Sequence, residues 1–96
     1  MVRKVAWSYE AATDLTDIAD YISKDSEFYA ASFVREIIEA SRTLSNFAER
    51  GRLVPEFGRQ DIRELFIKGY RLMYQIEESH VVILGLIHGR RDLKSL

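Results

Sequence analysis

Cysteine is absent from the 96-residue chain, which holds only one proline, five glycines and two histidines. Without thiols there is neither disulfide stapling nor a thiolate metal site, and two histidines alone cannot complete a structural zinc site. No metal or other cofactor is therefore expected. Long apolar runs are missing as well, since the longest, Val81 to Ile87, is far too short to cross a bilayer. The opening residues Met1-Val2-Arg3-Lys4-Val5 lack the apolar stretch of a secretory signal, so a cytoplasmic location without membrane contact is expected. A dominant charge is also lacking. The net charge is −1, unlike domains that hold nucleic acid chiefly by releasing counterions.

The chain is 47% hydrophobic and 30% charged, the balance of one soluble domain spanning residues 1–96 whose stability must come from packing. Its charges are unevenly placed. The first 49 residues hold nine acidic side chains against five basic, and the remainder nine basic against six acidic. An acidic or phosphate-rich partner would therefore meet the second half, unless the acidic side chains are merely solvated helix faces.

Val2 to Trp7 alternates, with Val5 and Trp7 on one face, and predicts a first strand. Ser8 can cap a following helix, with Glu10 favourably placed in its first turn. Ala11, Leu15, Ile18, Ala19 and Ile22 then recur at helical spacing, while Asp14, Asp17 and Asp20 fall off that stripe as an acidic outer face. Lys24-Asp25-Ser26 interrupts the pattern. Ala30, Phe33, Ile37, Ala40, Leu44 and Phe47 predict a second, longer helix, antiparallel to the first. Glu49 to Arg59 contains Gly51, Pro55 and Gly58 and reads as a surface loop.

From Ile62 the period becomes that of strands. Ile62 to Ile67, a Lys68-Gly69 turn, Tyr70 to Glu77, a turn at Glu77-Glu78-Ser79, and His80 to His88 predict three hairpin-linked strands. The continuously apolar last one should lie inside the sheet. The expected fold is α+β in two layers: an N-terminal strand, an antiparallel helical hairpin and a three-stranded antiparallel meander, in the order β-α-α-β-β-β.

No nucleophile elbow, phosphate loop, dinucleotide glycine pattern or metal-spaced histidine pair is present. The polar groups of the apolar second half are Arg63, Arg71, His88, Arg90 and Arg91. Arg71 alternates with Leu72, Tyr74 and Ile76, which predicts that it projects from the exposed or cleft side of the sheet. Antiparallel pairing of the last two strands would bring Arg71 to the end that holds Arg90 and Arg91. Such a guanidinium cluster suits a phosphodiester or an acidic protein partner; the alternative is pairing with Glu56, Glu64, Glu77 or Asp92. His88 is either a general acid–base group or a packed strand end. Tyr70 and Tyr74 read as sheet packing. Trp7, Tyr9 and Phe28 read as core, and would be partner anchors only if exposed.

The run Gly69-Tyr70-Arg71-Leu72-Met73-Tyr74-Gln75-Ile76, then Val81-Val82-Ile83-Leu84 and Ile87-His88-Gly89-Arg90-Arg91-Asp92, resembles the C-terminal signature of the RelE/ParE toxin superfamily. Arg50-Gly51-Arg52-Leu53-Val54-Pro55-Glu56 and Ile62-Arg63-Glu64-Leu65 are similar to that superfamily's loop and second strand. With the helical hairpin, the resemblance covers nearly the whole chain. It implies a type II toxin that arrests growth and is silenced by a cognate antitoxin, with operator DNA contacted only through the antitoxin. A homodimer and a toxin–antitoxin heterotetramer both fit, as does a role in plasmid stabilization.

Within the resemblance, RelE-type members cut mRNA on the ribosome and ParE-type members inhibit DNA gyrase. Arg71 and Arg91 match arginines of the nucleases, with His88 a third candidate for catalysis. The nucleases' two strand lysines fall here at Ile62 and Glu64, and their C-terminal tyrosine would lie beyond Leu96. The ending His88-Gly89-Arg90-Arg91-Asp92 is closer to ParE. The expectation is a gyrase inhibitor whose target- or antitoxin-binding residues are Arg63, Arg71, His88, Arg90 and Arg91, with a ribosome-dependent mRNA endonuclease or a non-toxic antitoxin-binding relative as alternatives.

Overall fold

The computed structural model describes residues 2–90. Its elements are β1 (Lys4–Trp7), α1 (Tyr9–Ser23), α2 (Glu27–Thr43), a short 3-10 turn (Ala48–Arg50), β2 (Arg52–Leu53), β3 (Ile62–Ile67), β4 (Tyr70–Ile76) and β5 (His80–His88). The strands form one sheet in the order β1-β5-β4-β3-β2. All neighbours are antiparallel except β1 and β5, which run parallel. The α+β architecture is as expected, with one addition. Arg52 and Leu53, inside the segment expected to be loop throughout, pair with Glu64 and Arg63 as a two-residue edge strand. Two residues are too few to display a strand period.

Both helices start where a serine hydroxyl meets an amide that no preceding turn satisfies. Ser8 Oγ accepts from the Ala11 N–H at 3.0 Å, and Ser26 Oγ accepts from the Tyr29 N–H at 3.1 Å. The apolar stripes of α1 and α2 supply Ala11, Leu15, Phe33 and Ile37, which pack with Leu44 on Leu65, Leu72, Tyr74, Val81, Ile83 and Leu86 of the sheet. Phe47 does not belong to this core: α2 ends at Thr43, so the ring falls past the helix and is exposed. The other face of the sheet has a smaller cluster of Val54, Ile62 and Met73 with Leu84 and Ile87 beside it. No helix among the described residues is long and apolar enough to cross a membrane.

The β5 edge illustrates how backbone groups are satisfied where a partner strand ends. Met73 lies opposite Gly85 and Tyr74 opposite Ile83, so Leu84 is the extra residue of a bulge. Parallel pairing with β1 stops at Ile83, and α1 takes over. Ser8 Oγ donates to the Leu84 carbonyl at 3.3 Å, and Asp14 Oδ2 accepts from the Leu86 N–H at 3.0 Å. Asp14, expected on an acidic outer face, is thus turned toward the sheet; Asp17 and Asp20 are exposed.

The Lys68-Gly69 turn places both residues at positive φ, 56° and 85°, as a two-residue hairpin requires. On the helix side, Tyr74 Oη donates to the Ala48 carbonyl at 2.6 Å and accepts from the Gly51 N–H at 2.9 Å, tying the β2 approach to the core. Gly51 has no room for a side chain, because a Cβ there would sit 2.5 Å from Tyr74 Oη and 2.7 Å from the Glu64 carbonyl oxygen.

Gly51→Ala is expected to destabilise the protein by about 1–3 kcal/mol, read as a lower denaturation midpoint, since both obstacles are held in place. Burial pushes the Tyr74 phenol above its ordinary value of 10.0. The raised value means that its contribution to stability is complete below pH 10 and fades as pH rises through the folded-state value. Tyr74→Phe is expected to cost about 1–3 kcal/mol at neutral pH and to shrink the alkaline loss of stability.

Candidate functional site: a carboxylate-locked arginine on the open sheet face

Hairpin register decides which polar groups meet on the sheet face away from the helices. Phe66 pairs with Arg71 and Glu64 with Met73, so Glu64 and Arg71 share that face as diagonal neighbours. Arg71 Nε donates to Glu64 Oε1 at 2.6 Å. Arg52 of β2 donates through Nε to the other oxygen, Oε2, also at 2.6 Å. From the turn after β2, Glu56 accepts both terminal nitrogens of Arg71 at 3.0 and 2.9 Å, a two-pronged pair. The result is an alternating chain Arg52–Glu64–Arg71–Glu56.

This chain is mostly out of water. The side chain of Glu64 is 0% exposed and that of Arg71 4%, whereas Arg52 remains 55% exposed. Arg52 also stacks on Phe66, with its guanidinium carbon 4.6 Å from the ring centroid. The two Glu56 bonds, opposed by burial and supported by Glu64, raise the proton affinity of Arg71 beyond that of an ordinary arginine. Its charge is already matched inside the protein. The expectation that Arg71 would project from an exposed or cleft side is therefore corrected: its face is as expected, but the Glu56 turn covers it.

The other candidates lie elsewhere. Arg63 points to the helix side, where its guanidinium donates to the carbonyls of Gln60, Glu49 and Gly51, each at 3.2 Å, and staples loop to strand. His88 pairs with Tyr70 across the β4–β5 ladder, and the two rings meet edge-on at 5.6 Å. Its Nδ1 lies 3.3 Å from the Arg90 N–H. A hollow of about 550 Å3 is lined by Phe66, Gly69, His88, Gly89 and Arg90. Arg71 pairs with Ile87, so the start of β4 and the end of β5 share one end of the sheet. Arg91 and Asp92 lie outside the described residues, and with them the Arg90-Arg91 half of the expected cluster.

Near Arg63, Asp61 is held below the ordinary carboxylate value of 3.8, first by the Gln75 amide at 2.9 Å and then by Arg59 at 2.8 and 3.0 Å. The arrangement as a whole can hold an acidic or apolar segment at the Phe66–Arg90 hollow. The groups that meet Arg71 are carboxylates already bound to its guanidinium.

A helical hairpin on a five-stranded sheet matches the ParE- and RelE-like toxin folds. A family model described as the ParE toxin of the type II toxin–antitoxin system parDE matches residues 5–93. The chain belongs to this ParE toxin family. It is 32% identical over 89 residues to the toxin RelE2 of Caulobacter vibrioides, covering 92% of this chain and 97% of the relative. Among solved structures it is similar to a chain of the chromosomal ParDE toxin–antitoxin system from P. aeruginosa, with TM-score 0.75, 22% identity, and coverage of 91% of this chain and 96% of that one. A second is the toxin–antitoxin complex RelBE2 from Mycobacterium tuberculosis, with TM-score 0.65, 22% identity, and coverage of 92% and 99%.

Glu64→Gln removes the buried charge that links Arg52 to Arg71, while Arg71 keeps its Glu56 pair, and is expected to lower unfolding free energy by about 1–3 kcal/mol. Arg52→Ala, at the solvent end, is expected to cost about 1 kcal/mol or less. Equilibrium urea denaturation of the two variants checks the gradient.

Proposed function

We propose that this ParE-family toxin inhibits DNA gyrase by protein contact, without phosphodiester chemistry of its own, and that a cognate antitoxin silences it in the cytoplasm. The observation that supports this reading is the locked guanidinium of Arg71. Cleavage of RNA needs cationic groups free to stabilise a pentavalent phosphate, and a general base for the ribose hydroxyl. Arg71 instead meets two carboxylates within 3.0 Å, and one of them, Glu64, stands where the resemblance puts a nuclease lysine. A phosphate brought there would face those carboxylates.

The solved relatives are, by their descriptions, parts of toxin–antitoxin systems, which supports an antitoxin partner for this chain. Its contact would fall on the rim of Phe66, His88 and Arg90, with Arg71 at the same end of the sheet. An antitoxin segment placing an apolar residue in the hollow and an Asp or Glu against the exposed cations satisfies that surface, and folding on binding suits such a partner. Operator DNA would be met through the antitoxin. Growth arrest, and plasmid stabilization where the pair is plasmid-borne, follow from release of the toxin.

The second reading, a ribosome-dependent mRNA endonuclease, draws on the exposed His88 and Arg90 beside Phe66, which would offer a base-stacking ring and cations. Purified toxin tested on both targets separates the two. Inhibition of gyrase supercoiling, reversed by the antitoxin, with intact mRNA on translating ribosomes is the expected result. Codon-specific cleavage on ribosomes with unaffected supercoiling would replace the first reading by the second, and silence in both would indicate an antitoxin-binding relative without toxicity.

A further inference from the structure

We propose that the tip of the helical hairpin, built on Tyr21, Phe28 and Tyr29, is the surface through which the toxin engages its target, and that the target presents a basic protein surface of the kind that otherwise carries DNA. This rests on the reading that the toxin acts by protein contact, and it assigns that contact to a place on the molecule.

The three rings are 69%, 74% and 67% exposed, although large aromatic side chains are usually withdrawn from water. None of them belongs to the hydrophobic core. The core stripe of α2 is carried by Ala30, Phe33 and Ile37, and Ser26 already caps the helix through the Tyr29 amide. Phe28 and Tyr29 stand on the first helical turn with their rings edge-on at 5.6 Å, and Lys24 covers Tyr21 at 5.9 Å. Aromatic groups held on a rigid turn are the common anchors of protein interfaces.

Charge selects the partner. Asp17, Asp20, Asp25 and Glu27 surround the rings, all exposed, and none forms an ion pair among the described residues. Lys24 is the single cation between Asp17 and Glu27. Such a field repels nucleic acid and anionic lipid. It also disfavours a second copy of this chain, because a two-fold contact would set the same carboxylates against each other. The basic Phe66–Arg90 rim has the opposite sign, so an acidic antitoxin segment suited to that rim would not suit the tip. A basic surface with apolar side chains beside it fits both the carboxylates and the rings, and a DNA-handling enzyme necessarily has the basic part.

The toxin is tested for inhibition of gyrase supercoiling and for affinity to its cognate antitoxin. Phe28→Ser/Tyr29→Ser and Asp17→Lys/Asp20→Lys are each expected to raise the inhibitory concentration at least about tenfold, with antitoxin affinity and thermal melting unchanged. Phe47→Ser, an exposed ring elsewhere, is the control and is expected to leave inhibition as it is. Wild-type inhibition should weaken as ionic strength rises. Equal inhibition by the tip variants overturns the proposal while leaving gyrase inhibition in place, and so does loss of antitoxin binding or of self-association with inhibition retained. If the wild type itself leaves gyrase untouched, the reading beneath the proposal falls and the proposal falls with it.

Discussion

A carboxylate withdrawn completely from water must be neutralised by its neighbours, and Glu64 is that carboxylate. Its two oxygens are taken by Arg52 and Arg71, which binds the edge strand β2 to the hairpin of β3 and β4. Neutralising Glu64 in turn buries Arg71, whose outward nitrogens then need an acceptor. Glu56 supplies it, and so the turn after β2 is drawn across the open sheet face. Val54, two residues before Glu56, is fully buried beside Ile62 and Met73. One buried charge thereby dictates the course of a segment that has almost no regular structure.

The functional consequence is one of exclusion. A guanidinium that faces solvent is among the best ligands for phosphate, but one gripped by two carboxylates offers little attraction to another anion unless a carboxylate leaves. Position 64 is the pivot, since a lysine there would add charge to the face where glutamate cancels it. Among the described residues, Arg52 and Arg90 are exposed cations beside Phe66, better suited to holding an acidic segment than to assembling a reaction centre. Acidic helices and a basic sheet rim then give the molecule two surfaces of opposite character.

Much of the fold was legible because its periodic segments are long and their turns explicit. Lys68-Gly69 marks the hairpin, and the three C-terminal strands begin and end within a residue of the sequence reading. β2 was not legible, being set by its pairing with Glu64 and Arg63 rather than by its own pattern. The Glu64–Arg71 pairing was partly so: a two-residue turn places Phe66 opposite Arg71 and hence Glu64 diagonal to it. Glu56 could be named only as one of several acidic partners, since no local rule tells where an irregular turn will fold. Nothing in the sequence marks Arg52 as a partner of Glu64, and Asp14 reads as a solvated acid because its acceptor role arises from a bulge in a strand far along the chain. Tyr9 and Phe28 read as core from residue type alone and are exposed, whereas Trp7 does pack against the core, with its indole N–H 3.4 Å from Ser41 Oγ.

Arg71 has its charge matched inside the protein. The Nε–H resonance of Arg71 in a 1H–15N spectrum reports on this directly. A sharp signal, protected from solvent exchange and unmoved when single-stranded RNA or inorganic phosphate is added, is the expected result. A rapidly exchanging signal, or one that shifts along a saturable titration with either ligand, would show a guanidinium free for phosphate and contradict the account.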